Sequence, residues 1–105
     1  MNAKTRMQQI QEMLADAPDD AELRYMLAME HASAGDDDSA VRCFEELLAR
    51  TADYPPAYHQ CGRALHRLGR IADARAVLER GIPAALNKGD QHAAGEMQEL
   101  LANLE

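Results

Sequence analysis

At 105 residues and a net charge of −7, the chain has the length of one domain and lacks the basic footprint that non-specific nucleic-acid binding requires. Hydrophobic residues make up 47% of the sequence and aromatic residues only 4%, a composition that favours an all-α fold. There is no apolar run of the roughly 20 residues that a membrane span needs and no apolar stretch typical of a signal peptide. We therefore expect a cytoplasmic protein with no membrane partner.

The first predicted element is a helix within residues 4–18, which ends at Asp16-Ala17-Pro18. Met7, Ile10, Met13 and Leu14 recur at helical spacing, so they share one face. Four apolar residues on one stripe favour burial, and we expect this helix to dock on the one that follows.

Aspartates mark the starts of the next two predicted helices. Asp19 and Asp20 precede a helix over about 21–34, and Asp36-Asp37-Asp38 precedes one over about 37–51. Carboxylates suit the N-cap and the positive end of the helix dipole. A calcium loop would need alternating ligands over about twelve residues, so capping is the favoured interpretation. Phe44 is the only phenylalanine in the chain, and we expect it near the centre of the core.

A fourth helix is predicted over about 56–68, after the turn Asp53-Tyr54-Pro55-Pro56. Tyr58, Cys61 and Leu65 are its expected inward residues. Gly62 lies in mid-helix, where glycine is about 1 kcal/mol less favourable than alanine, so a close approach of another helix is expected there.

Two further helices complete the chain. One begins near Ile71 and reaches about Leu86, with a kink expected near 79–83 because Pro83 removes a hydrogen bond. The last covers 91–104 and is amphipathic. We expect its polar side to face solvent and to cap the domain; that side carries Gln91, Glu96, Gln98, Glu99 and Asn103.

Corresponding residues recur 34 positions apart: Gly35 with Gly69, Ala40 with Ala74, and Phe44 with Leu78. A glycine ends one helix, a small residue follows, and a large apolar residue lies four positions further on. With Tyr58 and the pair Cys61-Gly62, this pattern resembles the tetratricopeptide repeat, a 34-residue helix-turn-helix unit. Arg24 departs from it, because the family has a large aromatic residue there; Tyr25 or Leu23 is expected to fill the space.

The resemblance implies a single domain, 1–105, built as a right-handed α-solenoid of about six helices. Its expected parts are a leading half-repeat helix at 4–18, repeats at 21–54 and 55–88, and a capping helix at 90–104. It also implies a non-catalytic scaffold that binds a partner protein or peptide in an inner groove formed by the first helix of each repeat.

The family pattern implies which side chains face that inner groove. We predict a partner-binding site formed by Tyr25, Met26, Met29, His59, Gln60, Arg63, His66 and Arg67. Residues 55–87 hold five arginines against Asp73 and Glu79, a net charge of +3, whereas the rest of the chain has a net charge of −10. This asymmetry favours an acidic segment or a terminal carboxylate as ligand. The alternative is a solvated face whose arginines form surface ion pairs.

Tyr25, Met26 and Met29 form a predicted apolar patch beside this basic stripe. Methionine-rich surfaces adapt to varied partners. The alternatives are burial under a terminal helix, or self-association, in which the patch makes the protein a homo-oligomerisation module. The expected state is therefore a monomer or a weak homodimer.

The sequence favours no catalytic, metal or cofactor role. There is no glycine-rich phosphate loop, HExxH or CxxC motif. His59 and His66 lie two turns apart, roughly 10 Å, which is too far to share one ion. The remaining alternatives are a cryptic metal or small-molecule site at these histidines and a thiol site that pairs one of them with Cys61. We expect Cys43 and Cys61 to be reduced thiols.

Overall fold

A computed structural model describes residues 3–104, which form six α-helices and no β-strand. Each helix packs on the next one in sequence, and α6 also packs on α4. The prediction of an all-α stack of six helices is confirmed. None of the helices in the described part of the chain is long and apolar enough to cross a bilayer. The helices are α1 (Arg6–Asp16), α2 (Ala21–Ser33), α3 (Asp37–Arg50), α4 (Pro55–Arg67), α5 (Ile71–Asn87) and α6 (Gln91–Ala102).

Side-chain caps fix the starts of four helices. Thr5 and Gln8 form a capping box at α1. Asp20, Asp36 and Asp90 each accept a hydrogen bond from the backbone N–H three residues on, at 3.0–3.1 Å. The capping interpretation is thus confirmed for Asp36 within the run of three aspartates.

Glycines at positive φ end the first helix of each predicted repeat. Gly35 has φ +80° and Gly69 has φ +75°, a conformation in which a side chain would be strained. In both turns the residue after the glycine donates its N–H to the carbonyl five residues back, at 2.9 Å. This is the Schellman arrangement, which satisfies carbonyls that the helix leaves free and returns the chain against itself.

The core centres on α3, α4 and α5. Phe44 is fully buried, as predicted. Tyr25 fills the aromatic space that Arg24 leaves, because its ring centroid lies 6.0 Å from that of Phe44 and 5.6 Å from that of Tyr54. The Arg24 guanidinium instead donates to the carbonyl of Pro18 at 2.8 Å.

Two glycines allow close helix approach. A Cβ at Gly62 would lie 2.7 Å from Leu78 Cδ2, which confirms the expected contact between α4 and α5. A Cβ at Gly81 would lie 2.6 Å from Met97 Sδ and would also collide with Tyr58. Gly81 is therefore the point where α4 and α6 both pack on α5. Helix α5 continues through Pro83 to Asn87, and the kink there stays a prediction.

Helix α1 packs on α2, as predicted, but not with its whole apolar stripe. Ile10 is buried, and Met7 and Leu14 are half-buried. Met13 is 46% exposed, so the expectation that all four residues share the contact is wrong for Met13. Arg6 and Glu30 add an ion pair at 3.3 Å between the two helices.

Candidate functional site

A surface across α2, α4 and α6 holds two adjoining cavities of about 330 and 310 Å³. Tyr25 of α2 lines the first, while His59 and Arg63 of α4 and Glu96 of α6 line both. Cavities of this size lie at the lower end of the range typical of binding sites. We call this surface the inner groove.

The structure brings together half of the residues predicted for partner binding. Tyr25, Gln60, His59 and Arg63 line the larger cavity. The other four, Met26, Met29, His66 and Arg67, line neither cavity. Their part in binding stays a prediction.

Arg67 has a partner within the chain. Its guanidinium donates to both carboxylate oxygens of Asp37, with the shortest contact at 2.8 Å. Hydrogen bonding from Arg67 lowers the pKa of Asp37 below its usual range. The pair joins the end of α4 to the start of α3. Arg67 therefore forms a surface ion pair, which was the alternative to a role in ligand binding.

His59 contributes little positive charge at neutral pH. Burial of its half-buried imidazole lowers its pKa; Glu96 partly opposes this effect, and Arg63 adds to it. A histidine titrates near 6.5 when unperturbed, so His59 is mainly neutral at pH 7. Arg63 is therefore the main cation of the inner groove, and it makes no side-chain hydrogen bond or ion pair to any residue in 3–104.

Tyr25 occupies both the core and the inner groove. Its ring packs against two other aromatic side chains, yet it remains partly exposed and lines the larger cavity. Burial raises its pKa, and so does the neighbouring Tyr54. Met29 is half-buried against the core. The predicted apolar patch is thus partly used in the packing of the domain itself.

The acidic wall of the inner groove lies on α6. Glu96 and Glu99 line the smaller cavity together with Arg63 and Asn103. Glu96, Glu99 and Asn103 are exposed, as expected for the polar side of this helix and its C-cap, and they also line the inner groove beside α4. Their part in capping the domain stays a prediction. Gln91 and Gln98 are exposed, but neither lines the inner groove.

Helix α6 does not follow the 34-residue spacing of α2 and α4. Helix α5 has 17 residues and α3 has 14. Helix α4 begins 34 positions after α2, whereas α6 begins 36 positions after α4. Two residues turn a helix by about 200°, so the longer spacing decides which face of α6 lies beside α4. The extra length lies in α5, the helix that contains Gly81 and Pro83.

A separate cavity of about 320 Å³ lies between α3, α4 and α5. We call it the opposite cleft, because Cys61 at its base lies about 200° around α4 from His59 and Arg63. Three of its charged side chains already have neighbours: Arg70 pairs with Asp73 at 2.9 Å, and the Arg80 guanidinium lies 5.5 Å from the ring centroid of Tyr58.

The position of Cys61 argues against a thiol site shared with His59. Cys61 is fully buried, and burial raises its pKa to about 12, so it is not an activated nucleophile. It also faces away from His59, which lines the inner groove. Within residues 3–104, no three His, Cys, Asp or Glu side chains cluster so that they could hold a metal ion.

Comparison with known proteins gives one consistent result. Two family models described as tetratricopeptide repeat match the chain, one over residues 31–104 and the other over residues 2–57. A TPR repeat-containing protein of Pseudomonas aeruginosa is 30% identical over 96 residues, which cover 91% of each chain.

Solved structures agree with this result. The solution structure of a tetratricopeptide repeat domain protein of Salinibacter ruber has a TM-score of 0.75 and 34% identity, covering 81% of this chain and 86% of that one. The solution structure of a Bordetella parapertussis protein has a TM-score of 0.82 and 29% identity, covering 95% of this chain and 87% of that one.

Proposed function

This chain belongs to the tetratricopeptide repeat family, and we propose that it is a non-catalytic module that binds a segment of a partner protein in its inner groove. Repeats of this family generally mediate protein–protein interaction. The unpaired cysteines accord with a reducing compartment such as the cytoplasm.

The proposal rests mainly on the position of Arg63. It is exposed, lines both cavities and has no ion-pair partner among the described residues, whereas Arg67 is paired with Asp37. A guanidinium presents several donors in a fixed plane and binds a carboxylate in a bidentate manner. Tyr25 adds an aromatic surface to the same cavity, where a side chain of the bound segment can pack.

The alternative is self-association through Tyr25, Met26 and Met29. It has less support, because Tyr25 and Met29 already pack against the core. Light scattering over a range of concentrations separates the two functions. The proposal predicts a monomer at high concentration, and a dimer that Met26→Glu dissociates would favour self-association instead.

Peptide display tests the proposal directly. Random peptides of about eight residues extend roughly 26 Å, which is close to the 28 Å middle dimension of the domain. We expect wild-type protein to enrich a family of sequences, and we expect Arg63→Glu to weaken binding of the best peptide by at least about tenfold.

The matched control is Arg75→Glu. Arg75 is exposed on α5, lines neither cavity of the inner groove and makes no ion pair within residues 3–104. Reversing the charge of Arg75 should leave the affinity for the peptide within about twofold of wild type, since an exposed charge far from the ligand is screened. Failure to enrich any peptide, or equal losses in the two variants, would contradict the proposed site.

A further inference from the structure

Opposite charges face each other across one cavity of the inner groove. Arg63 lies on α4, Glu96 and Glu99 lie on α6, and all three line the cavity of about 310 Å³. The two glutamates are three residues apart, so they lie on the same side of their helix. The inner groove therefore has a basic wall and an acidic wall.

These charges do not neutralise one another within the chain. No oxygen of Glu96 or Glu99 lies within 4.0 Å of an Arg63 nitrogen. Glu96 has the exposed imidazole of His92 at 3.3 Å, whereas the Glu99 carboxylate makes no ion pair or hydrogen bond in the described part of the chain. Among the described residues, Arg63 and Glu99 are therefore the charged side chains of this cavity that have no ion-pair partner, and one lies on each wall.

A ligand of a single sign meets repulsion at one wall. An acidic segment suits Arg63 but brings negative charge against Glu96 and Glu99. A basic segment suits the glutamates but meets Arg63. Like charges placed together at an interface are strongly unfavourable and are a common means of rejecting wrong partners. A segment that carries both signs satisfies both walls.

The spacing between the two charged residues of the ligand follows from the distance between packed helices. Axes of packed helices lie about 8–10 Å apart, and an extended chain rises about 3.3 Å per residue. A segment that crosses from α4 to α6 therefore spans that distance with about three residues. Leu100 of α6 is half-buried and lines the same cavity, so it offers an apolar surface to the residues between the two charged ones.

We propose that the inner groove selects an extended segment in which an acidic residue against Arg63 and a basic residue against Glu99 lie about three positions apart. This specificity rests on the proposed function, and it differs from the purely acidic ligand that the sequence predicts. It assigns α6 a direct role in recognition rather than a role in capping alone.

The test uses the random-peptide library with four forms of the protein: wild type, Arg63→Glu, Glu99→Arg and the control Glu79→Arg. Glu79 is exposed on α5, lines none of the three cavities and has no ion-pair partner within residues 3–104. Each form is first checked for a wild-type melting transition. Glu96→Arg replaces Glu99→Arg if that variant fails the check.

We expect wild type and Glu79→Arg to enrich the same peptides, with one acidic and one basic residue at fixed spacing. Glu99→Arg should change the preferred basic residue to an acidic one, and Arg63→Glu should change the preferred acidic residue to a basic one. The best wild-type peptide should bind each groove variant at least about tenfold more weakly.

Three other outcomes would overturn the specificity, and only the last would also overturn the proposed function. Enrichment of acidic peptides alone, unchanged by Glu99→Arg, overturns the two-sign specificity and leaves groove binding intact. An equal change with Glu79→Arg shows that net charge decides, and this also overturns the specificity. If wild type enriches no peptide, both the proposed function and this inference fail.

Discussion

One added methyl group at Gly81 tests the packing that places α4 and α6 side by side. In Gly81→Ala, the new Cβ would lie 2.6 Å from Met97 Sδ and 2.8 Å from Tyr58 Cγ, and closer still to Tyr58 Cβ. The flexible end of Met97 can move, but Tyr58 Cβ is fixed by the backbone of α4. Overpacking of this kind typically destabilises a core by about 1–3 kcal/mol.

The helix itself gains from the same change. Alanine is favoured over glycine in a helix interior by about 1 kcal/mol. Because the contact with Tyr58 cannot relax without a helix shift, we expect the upper part of the overpacking range. The net loss in the free energy of unfolding should be about 1–2 kcal/mol.

Gly95→Ala is the matched control. Gly95 lies within α6, and a Cβ there meets nothing within 4 Å. This variant should gain about 0.5–1 kcal/mol from helix propensity. The two melting temperatures, measured by circular dichroism, should therefore differ by roughly 6–24 °C, and urea unfolding should give the difference in free energy. A Gly81→Ala protein as stable as wild type, or less stability in Gly95→Ala than in Gly81→Ala, would refute this account of the packing.

Two further predictions concern titratable groups. Cys61 is buried, and its burial raises its pKa to about 12. In Cys43→Ser protein, the remaining thiol should therefore react with a disulfide reagent only after urea unfolding. Rapid labelling of the folded protein would contradict the burial of Cys61. Arg67 lowers the pKa of Asp37, so this pair should stabilise the fold above about pH 4, and the contribution should be lost as the pH falls through the folded pKa of Asp37. Asp37→Asn should therefore lower the free energy of unfolding by about 0.5 kcal/mol at neutral pH, and the two proteins should become equally stable in acid. A difference that stays constant across a pH series of urea titrations would exclude the ion pair as the cause.

The fold was accessible from the sequence because its signals are local. Glycine turns, aspartate caps and apolar spacing each act within a few residues, and together they mark six helices. Gly62 could be explained before the structure, because a costly glycine in mid-helix implies a close neighbour. Gly81 could not, since its two contacts come from Tyr58 and Met97, which lie on different helices.

The site was only partly accessible, because side-chain partners depend on register and on distant contacts. Arg67 belongs to the same predicted stripe as Arg63, but Asp37, 30 residues upstream, holds it. Glu96 and Glu99 were expected to face solvent, and they do, but their position beside Arg63 depends on how α6 packs against α4. The local pattern of α6 does not contain that contact, so the acidic wall was not predicted as part of the site.

Chemical-shift mapping by NMR, amide by amide, with one peptide selected by the wild-type protein shows where that ligand binds. Binding in the inner groove should give the largest changes on both walls, near Arg63 on α4 and Glu99 on α6. Changes confined to the opposite cleft, around Arg70 and Arg80, would contradict binding in the inner groove.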